Sequence, residues 1–143
     1  VKNSSSSIDD LTNNAYKGAG NPTGRMNMAG KTHPVSGVEF DASGFPKFKS
    51  EYNMNLEPVD YLKSRGTHFD RASKSLYNEI QGNSELASKF TQNEIDIFKE
   101  GGVPKRFTWH HNEEPGLMQL VDRGIHRQTG HDGGFSIWGP GNK

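Results

Sequence analysis

The chain lacks cysteine altogether, so disulfides and thiolate metal sites are excluded, and any metal must be held by His, Asp, Glu or backbone oxygen. It also lacks charge of one sign: 17 basic residues balance 17 acidic ones. A strongly basic total would point to nucleic acid. A neutral total leaves room for a local phosphate-binding patch. Apolar residues are scarce, at 30%, and mean hydropathy is −0.88. The core must therefore be modest, with part of the chain outside it. No apolar run approaches the roughly 20 residues of a membrane span. The 143 residues suit one domain. The chain opens on Val1 rather than Met, and we expect a piece of a longer protein.

Residues 1–29, rich in Ser, Asn, Gly and Lys without apolar periodicity, read as a linker or flexible arm. "GKTHPVSGVEFDASGFPKF" (30–48) is turn-rich and predicts short strands or an irregular clasp packed by Phe40, Phe45 and Phe48. "PVDYL" (58–62) alternates Val59 and Tyr61 and predicts a strand. "THFDRASKSLYNEIQG" is a helix pattern that Thr67 or Asp70 can cap and Gly82 can end. "NSELASKF" is a second, starting at Asn83 or Ser84. "TQNEIDIFKEGG" is a third: Thr91 and Glu94 make a capping box, and Gly101-Gly102 stops it. Residues 51–100 carry nine acids and six bases, so this helical half is not an obvious phosphate face.

Four of the six histidines fall between Phe107 and Gly134: His110, His111, His126 and His131. His33 and His68 are isolated and read as structural or surface residues, with a helper role for His33 a remote option. "FTWHH" has strand pattern, with Phe107, Trp109 and His111 on one side and Thr108 and His110 on the other. "NEEPG" is a turn and "LMQLV" a second strand, so the two make a hairpin. Asp122 can cap a short helix that Gly130 can close.

Such density of His without Cys points to a metal or catalytic site. Neighbours on a strand face opposite ways, so His110 and His111 cannot share an ion unless the strand ends or twists there; one can bind while the other flanks. His126 and His131 are five apart, about 140° of helical rotation, so both can face one ion only if the helix ends between them. Three imidazoles favour zinc, nickel, cobalt or manganese over magnesium, and three protein ligands leave positions open for catalysis. A fourth, unligated His can take a proton from water. Trp109 reads as core packing.

These residues resemble the HNH/endonuclease VII superfamily, whose site is a ββα-metal hairpin and helix. The likeness is to its WHH subgroup, found at the C-termini of bacterial polymorphic toxins. It rests on Trp109-His110-His111, Met118-Gln119-Leu120-Val121, Ile125-His126, Gly130-His131 and Gly133-Gly134, with "GKTHPVSGVEFDASGFPKF" similar to that subgroup's opening segment. It covers roughly residues 30–134, and 30–143 is expected to be the nuclease toxin domain.

The resemblance implies an α+β fold with a ββα-metal core and an added helical half. It implies His110 and His126 as metal ligands, and His131 as the third ligand or a holder of the scissile phosphate. His111 would be the general base, and Gln119, where HNH enzymes carry Asn, would brace the loop and orient that base. Arg106, Arg123 and Arg127, preceded by Lys105, are expected phosphate contacts. The expected cofactor is one divalent metal ion, whether zinc, nickel, manganese, cobalt or magnesium. The expected substrate is DNA, with RNA the rival and a non-catalytic His-metal module the alternative from another class. A cognate immunity protein is an implied partner. The implied setting is an exported toxin acting in the target cell's cytoplasm.

Overall fold

The computed structural model describes residues 25–131 and 133–140, and most of the expected N-terminal arm lies outside them. The fold is α+β, as expected: a three-stranded antiparallel sheet with helices packed on it. Strands β2 (Phe107–His111) and β3 (Leu117–Asp122) form the hairpin, with Trp109 opposite Leu120 and His110 opposite Gln119. The turn between them closes at Gly116, whose φ of 78° suits glycine. β1 (Asn53–Asn55) pairs with the other edge of β3, so the sheet order is β1-β3-β2. Sequence pattern does not announce β1, because Asn-Met-Asn has little strand propensity and its pairing comes from the backbone of β3.

The segment expected to be a strand at 58–62 is instead a 3₁₀ turn, Pro58–Asp60. Pro58 suits a helical first position and lacks the N–H that a ladder needs. Helix α1 (Arg65–Gln81) starts earlier than its pattern suggested: Ser64, not Thr67 or Asp70, caps it by accepting from the Thr67 amide at 3.1 Å. α2 is a single turn, Ser84–Ala87, capped by Asn83. α3 (Gln92–Lys99) carries the expected Thr91–Glu94 capping box.

The core joins one face of the sheet to these helices. Leu76, Ala72 and Phe98 are fully buried with Trp109, Met118 and Leu120. The indole of Trp109 donates to Ser73 at 3.0 Å, and Ser73 donates on to the Gly102 carbonyl at 2.7 Å, so the polar edge of a core Trp is satisfied. Trp109 is core packing, as its sequence context indicated.

Residues 30–48 form the irregular clasp, with only isolated bridges at Thr32–Glu39 and Phe40–Pro46. The clasp covers the opposite face of the hairpin, where Val38 and Phe48 pack on Val121. A hydrogen bond of 2.6 Å between the Thr129 and Ser36 hydroxyls ties it to the end of the short helix that follows the hairpin. On the core side, Phe98→Ala removes a ring with 0% exposure that stacks edge-on against Phe90. It should cost about 3–5 kcal/mol of stability, read as a lower urea midpoint at unchanged denaturant slope.

Candidate active site

Strand alternation divides the paired histidines as the sequence required. His110 faces the clasp, its ring 4.7 Å from Phe48, 5.3 Å from His126 and 5.0 Å from His131. His111 faces the other way, among His68, Phe69, Phe135 and Trp138. The short helix α4 (Arg123–Gln128), capped by Asp122, carries His126. It stops at Thr129 rather than at the expected Gly130; Thr129 is extended, with φ −111° and ψ 98°. The requirement that the helix end before His131 is met one residue early.

The potential ligand nitrogens of His110, His126 and His131 all lie within 4.8 Å of one another. His110 Nδ1 and His126 Nε2 are 3.3 Å apart. Two nitrogens on one tetrahedral ion, at the usual ~2.0–2.1 Å from it, sit about 3.3 Å apart, so this edge fits a metal. His131 Nδ1 donates to the Thr129 carbonyl at 2.6 Å, which leaves Nε2 with its lone pair. Burial holds all three imidazoles in the neutral form that a ligand needs. His110 is pushed well below its ordinary pKa by burial and by its three neighbouring histidines. Burial and His131 bring His126 down to about 3; burial brings His131 down to about 4. The three residues can hold a divalent ion. Phe48 walls the cluster at 4.7–5.3 Å from each ring.

His111 is held from the side away from the cluster. Its Nε2 lies 3.0 Å from His68 Nδ1, and His68 Nε2 lies 2.7 Å from the Asp60 carbonyl. Burial, with His68 and the Arg65 guanidinium near it, brings His111 down to about 3. His68, read as structural or surface, is fully buried against this site. Nothing in its sequence context marked it, because the contact spans 43 residues. Arg65 is a second residue the sequence did not single out: its guanidinium stacks 4.3 Å over Phe135, and its charge acts on His111 and His126. His33 is buried rather than superficial, and its Nδ1 accepts from the amides of Val35 and Ser36.

Gln119 braces the hairpin turn by accepting from Asn112 at 3.1 Å. Among the described residues no hydrogen bond joins it to His111, whose ring is fixed by His68 instead. The C-terminal 3₁₀ turn Gly134–Ser136 locks the same turn: the Trp138 indole donates to the Asn112 carbonyl at 2.8 Å. A Cβ at Gly134 would collide with that carbonyl and that indole, so only glycine allows the approach.

Residues 38–133 match the family described as the DNase/tRNase domain of colicin-like bacteriocins. The chain belongs to that family. It is a nuclease toxin domain, and nucleic acid is its substrate class. No curated protein and no solved structure matches it. Among the described residues, no helix is long and apolar enough to cross a membrane.

The expected phosphate contacts line one cavity of about 680 Å³ in this nuclease domain, formed by Val103, Lys105, Arg106, Asp122, Arg123 and Arg127 with Gly124. They are not equally available. Arg106 forms a two-pronged pair with Glu94, at 2.6 and 2.9 Å. Arg123 donates to the Lys105 carbonyl at 2.8 Å. Arg127 and Lys105 form no ion pair among the described residues.

The buried imidazoles give the metal-free domain a definite pH response. The unfolded chain binds protons on these four rings below about pH 6.5, while the fold keeps His111, His126 and His131 neutral to about 4 or lower and holds His110 well below its ordinary value. Stability should therefore fall as pH drops from about 6.5 toward 4. Glu113 opposes this: burial and a hydrogen bond with Asp41 push it up to about 7, and the stabilisation it gives fades as pH rises from about 4.5 to 7. Four groups against one leave the histidines in control. Melting in chelator should occur at lower temperature at pH 5 than at pH 7; a higher melting temperature at pH 5 would contradict the neutral cluster.

Proposed function

We propose that this domain is a metal-dependent endonuclease of the WHH type that hydrolyses DNA, with His110, His126 and His131 holding one divalent ion and His111 acting as general base. The observation that carries the reading is the convergence of three neutral imidazoles on one face of β2 while the neighbouring His111 stays out of the set. Zinc, nickel, manganese and cobalt suit imidazole best, and magnesium least. When bound, the ion would supply positive charge to the scissile phosphate and to the departing oxygen.

The chain's own residues do the rest. His111 takes a proton from a water molecule as the water oxygen bonds to phosphorus. The P–O3′ bond breaks, and the leaving oxygen takes a proton from solvent. Phe48 packs against all three ligand rings and helps to hold them in place. Arg65, stacked on Phe135, offers a cation for the scissile phosphate, and the cavity with Lys105, Arg123 and Arg127 offers further phosphate contacts along the strand. Arg106 reaches the same cavity with its Glu94 pair in place.

DNA is favoured over RNA because an activated water is needed where no 2′-hydroxyl can attack. A tRNA substrate is the second reading, supported by the family description. A toxin of this type implies a cognate immunity protein, delivery by a longer parent protein, and action in the cytoplasm of the target cell.

The test is cleavage of supercoiled plasmid and of tRNA with zinc, nickel, manganese, cobalt or magnesium supplied in turn. Plasmid should be cut to ends bearing 5′-phosphate. His111→Ala should lower kcat on the order of 10²–10⁴-fold with metal affinity retained. His126→Ala should lose both metal and activity. Cleavage of tRNA alone, leaving 2′,3′-cyclic phosphate, would transfer the reading to an RNase. No cleavage of either with any ion, together with unfolding in chelator, would leave a structural metal module.

A further inference from the structure

We propose that His68 is the positioning residue for His111: it fixes the ring's tautomer and leaves Nδ1 of His111 as the proton-accepting atom. The inference rests on the nuclease reading and assigns a residue that reading does not otherwise use.

The assignment follows from counting hydrogens. His68 Nε2 lies 2.7 Å from the Asp60 carbonyl oxygen. A carbonyl oxygen only accepts, so this nitrogen carries hydrogen. A neutral imidazole has one N–H, so Nδ1 of His68 is an acceptor. The atom 3.0 Å from it, Nε2 of His111, must then donate. That uses the only hydrogen of a neutral His111, and its lone pair is left at Nδ1. The logic is that of a carboxylate orienting a catalytic imidazole, with a second imidazole in the carboxylate's place. An imidazole in that place avoids burying the anion that a carboxylate would bring.

The surroundings hold the chain of hydrogen bonds in register. Asp60 ends the 3₁₀ turn Pro58–Asp60, and its carboxylate is gripped by Lys63 at 2.8 Å and Arg71 at 3.4 Å. The Lys63 hydrogen bond leads the effects that hold this carboxylate below its ordinary pKa, so it stays an anion for both cations. Helix α1 brings His68 under the strand, and Trp138 packs on both rings, 5.7 Å from His68 and 5.5 Å from His111. The metal cluster needs none of this, since its three rings lie on the opposite face of β2. Apolar packing alone would be met by Phe or Leu. An imidazole with 0% exposure and both nitrogens engaged has a more specific task. Arg65 lies three residues earlier in α1, on the same side. One helix end thus brings a cation and the partner of the base to the site.

Two variants and one spectrum test this, with plasmid DNA as substrate and manganese as the ion. His68→Phe keeps ring volume and removes the acceptor. His68→Asn keeps an oxygen acceptor near the place of Nδ1. His68→Phe should lower kcat on the order of 10²-fold with KM and manganese affinity unchanged, and His68→Asn should recover roughly tenfold of that loss. In ¹⁵N NMR of the metal-free wild-type domain, His111 should carry its hydrogen on Nε2. Wild-type kcat in His68→Phe, or hydrogen on Nδ1 of wild-type His111, overturns the inference.

The nuclease reading fails differently. If His111→Ala also cuts at the wild-type rate, the base itself is misassigned. If His111→Ala is inactive while His68→Phe is fully active, only the role of His68 falls. Should His68→Phe not fold, the wild-type spectrum decides alone.

Discussion

Successive side chains on a β-strand face opposite ways, and the site depends on that constraint at one dipeptide. His110 and His111 are neighbours in sequence, yet one joins His126 and His131 under the clasp while the other meets His68 in the helical half. In the proposed assignment, a single strand thus separates a ligand from a base by one peptide unit. The division requires a wall on each side of the hairpin. The clasp, with Phe48, forms one, and helix α1 with Trp138 forms the other. A chain with 30% apolar residues can afford two thin walls because the sheet between them has only three strands.

Burial does the chemical tuning. Imidazoles taken out of water lose their protons, and in the proposed assignment that loss is what both jobs need: a ligand and a base each use a free lone pair. The buried rings are satisfied by short, specific partners, such as the Thr129 carbonyl for His131 and the Asp60 carbonyl for His68. These partners are backbone oxygens on turns and helix ends. That makes the loops at Asp60 and Thr129 as consequential as the ligands, although neither residue carries the chemistry.

The hairpin, its turn, the capping box at Thr91–Glu94 and the α+β class were legible because each is local: alternation, turn residues and caps lie within a few positions of one another. The three-His set was legible for the same reason, being spread over 22 residues. His68 and Arg65 were not, since their relevance arises from packing across dozens of residues. β1 was hidden because edge pairing to β3 overrides the poor propensity of Asn53 and Asn55. Val59 and Tyr61 misled by alternating in a segment where Pro58 starts a 3₁₀ turn. Arg106 shows a limit of another kind: position beside the motif suggested phosphate, while the fold commits its guanidinium to Glu94.

The central claim is that one strand parts a metal ligand from a base. Anomalous scattering from crystals grown with manganese or zinc tests it most directly. The account predicts one ion bonded to His110, His126 and His131, with His111 outside its coordination and hydrogen-bonded to His68. An ion bonded to His111, or no ion in a well-ordered cluster at saturating metal, would contradict it.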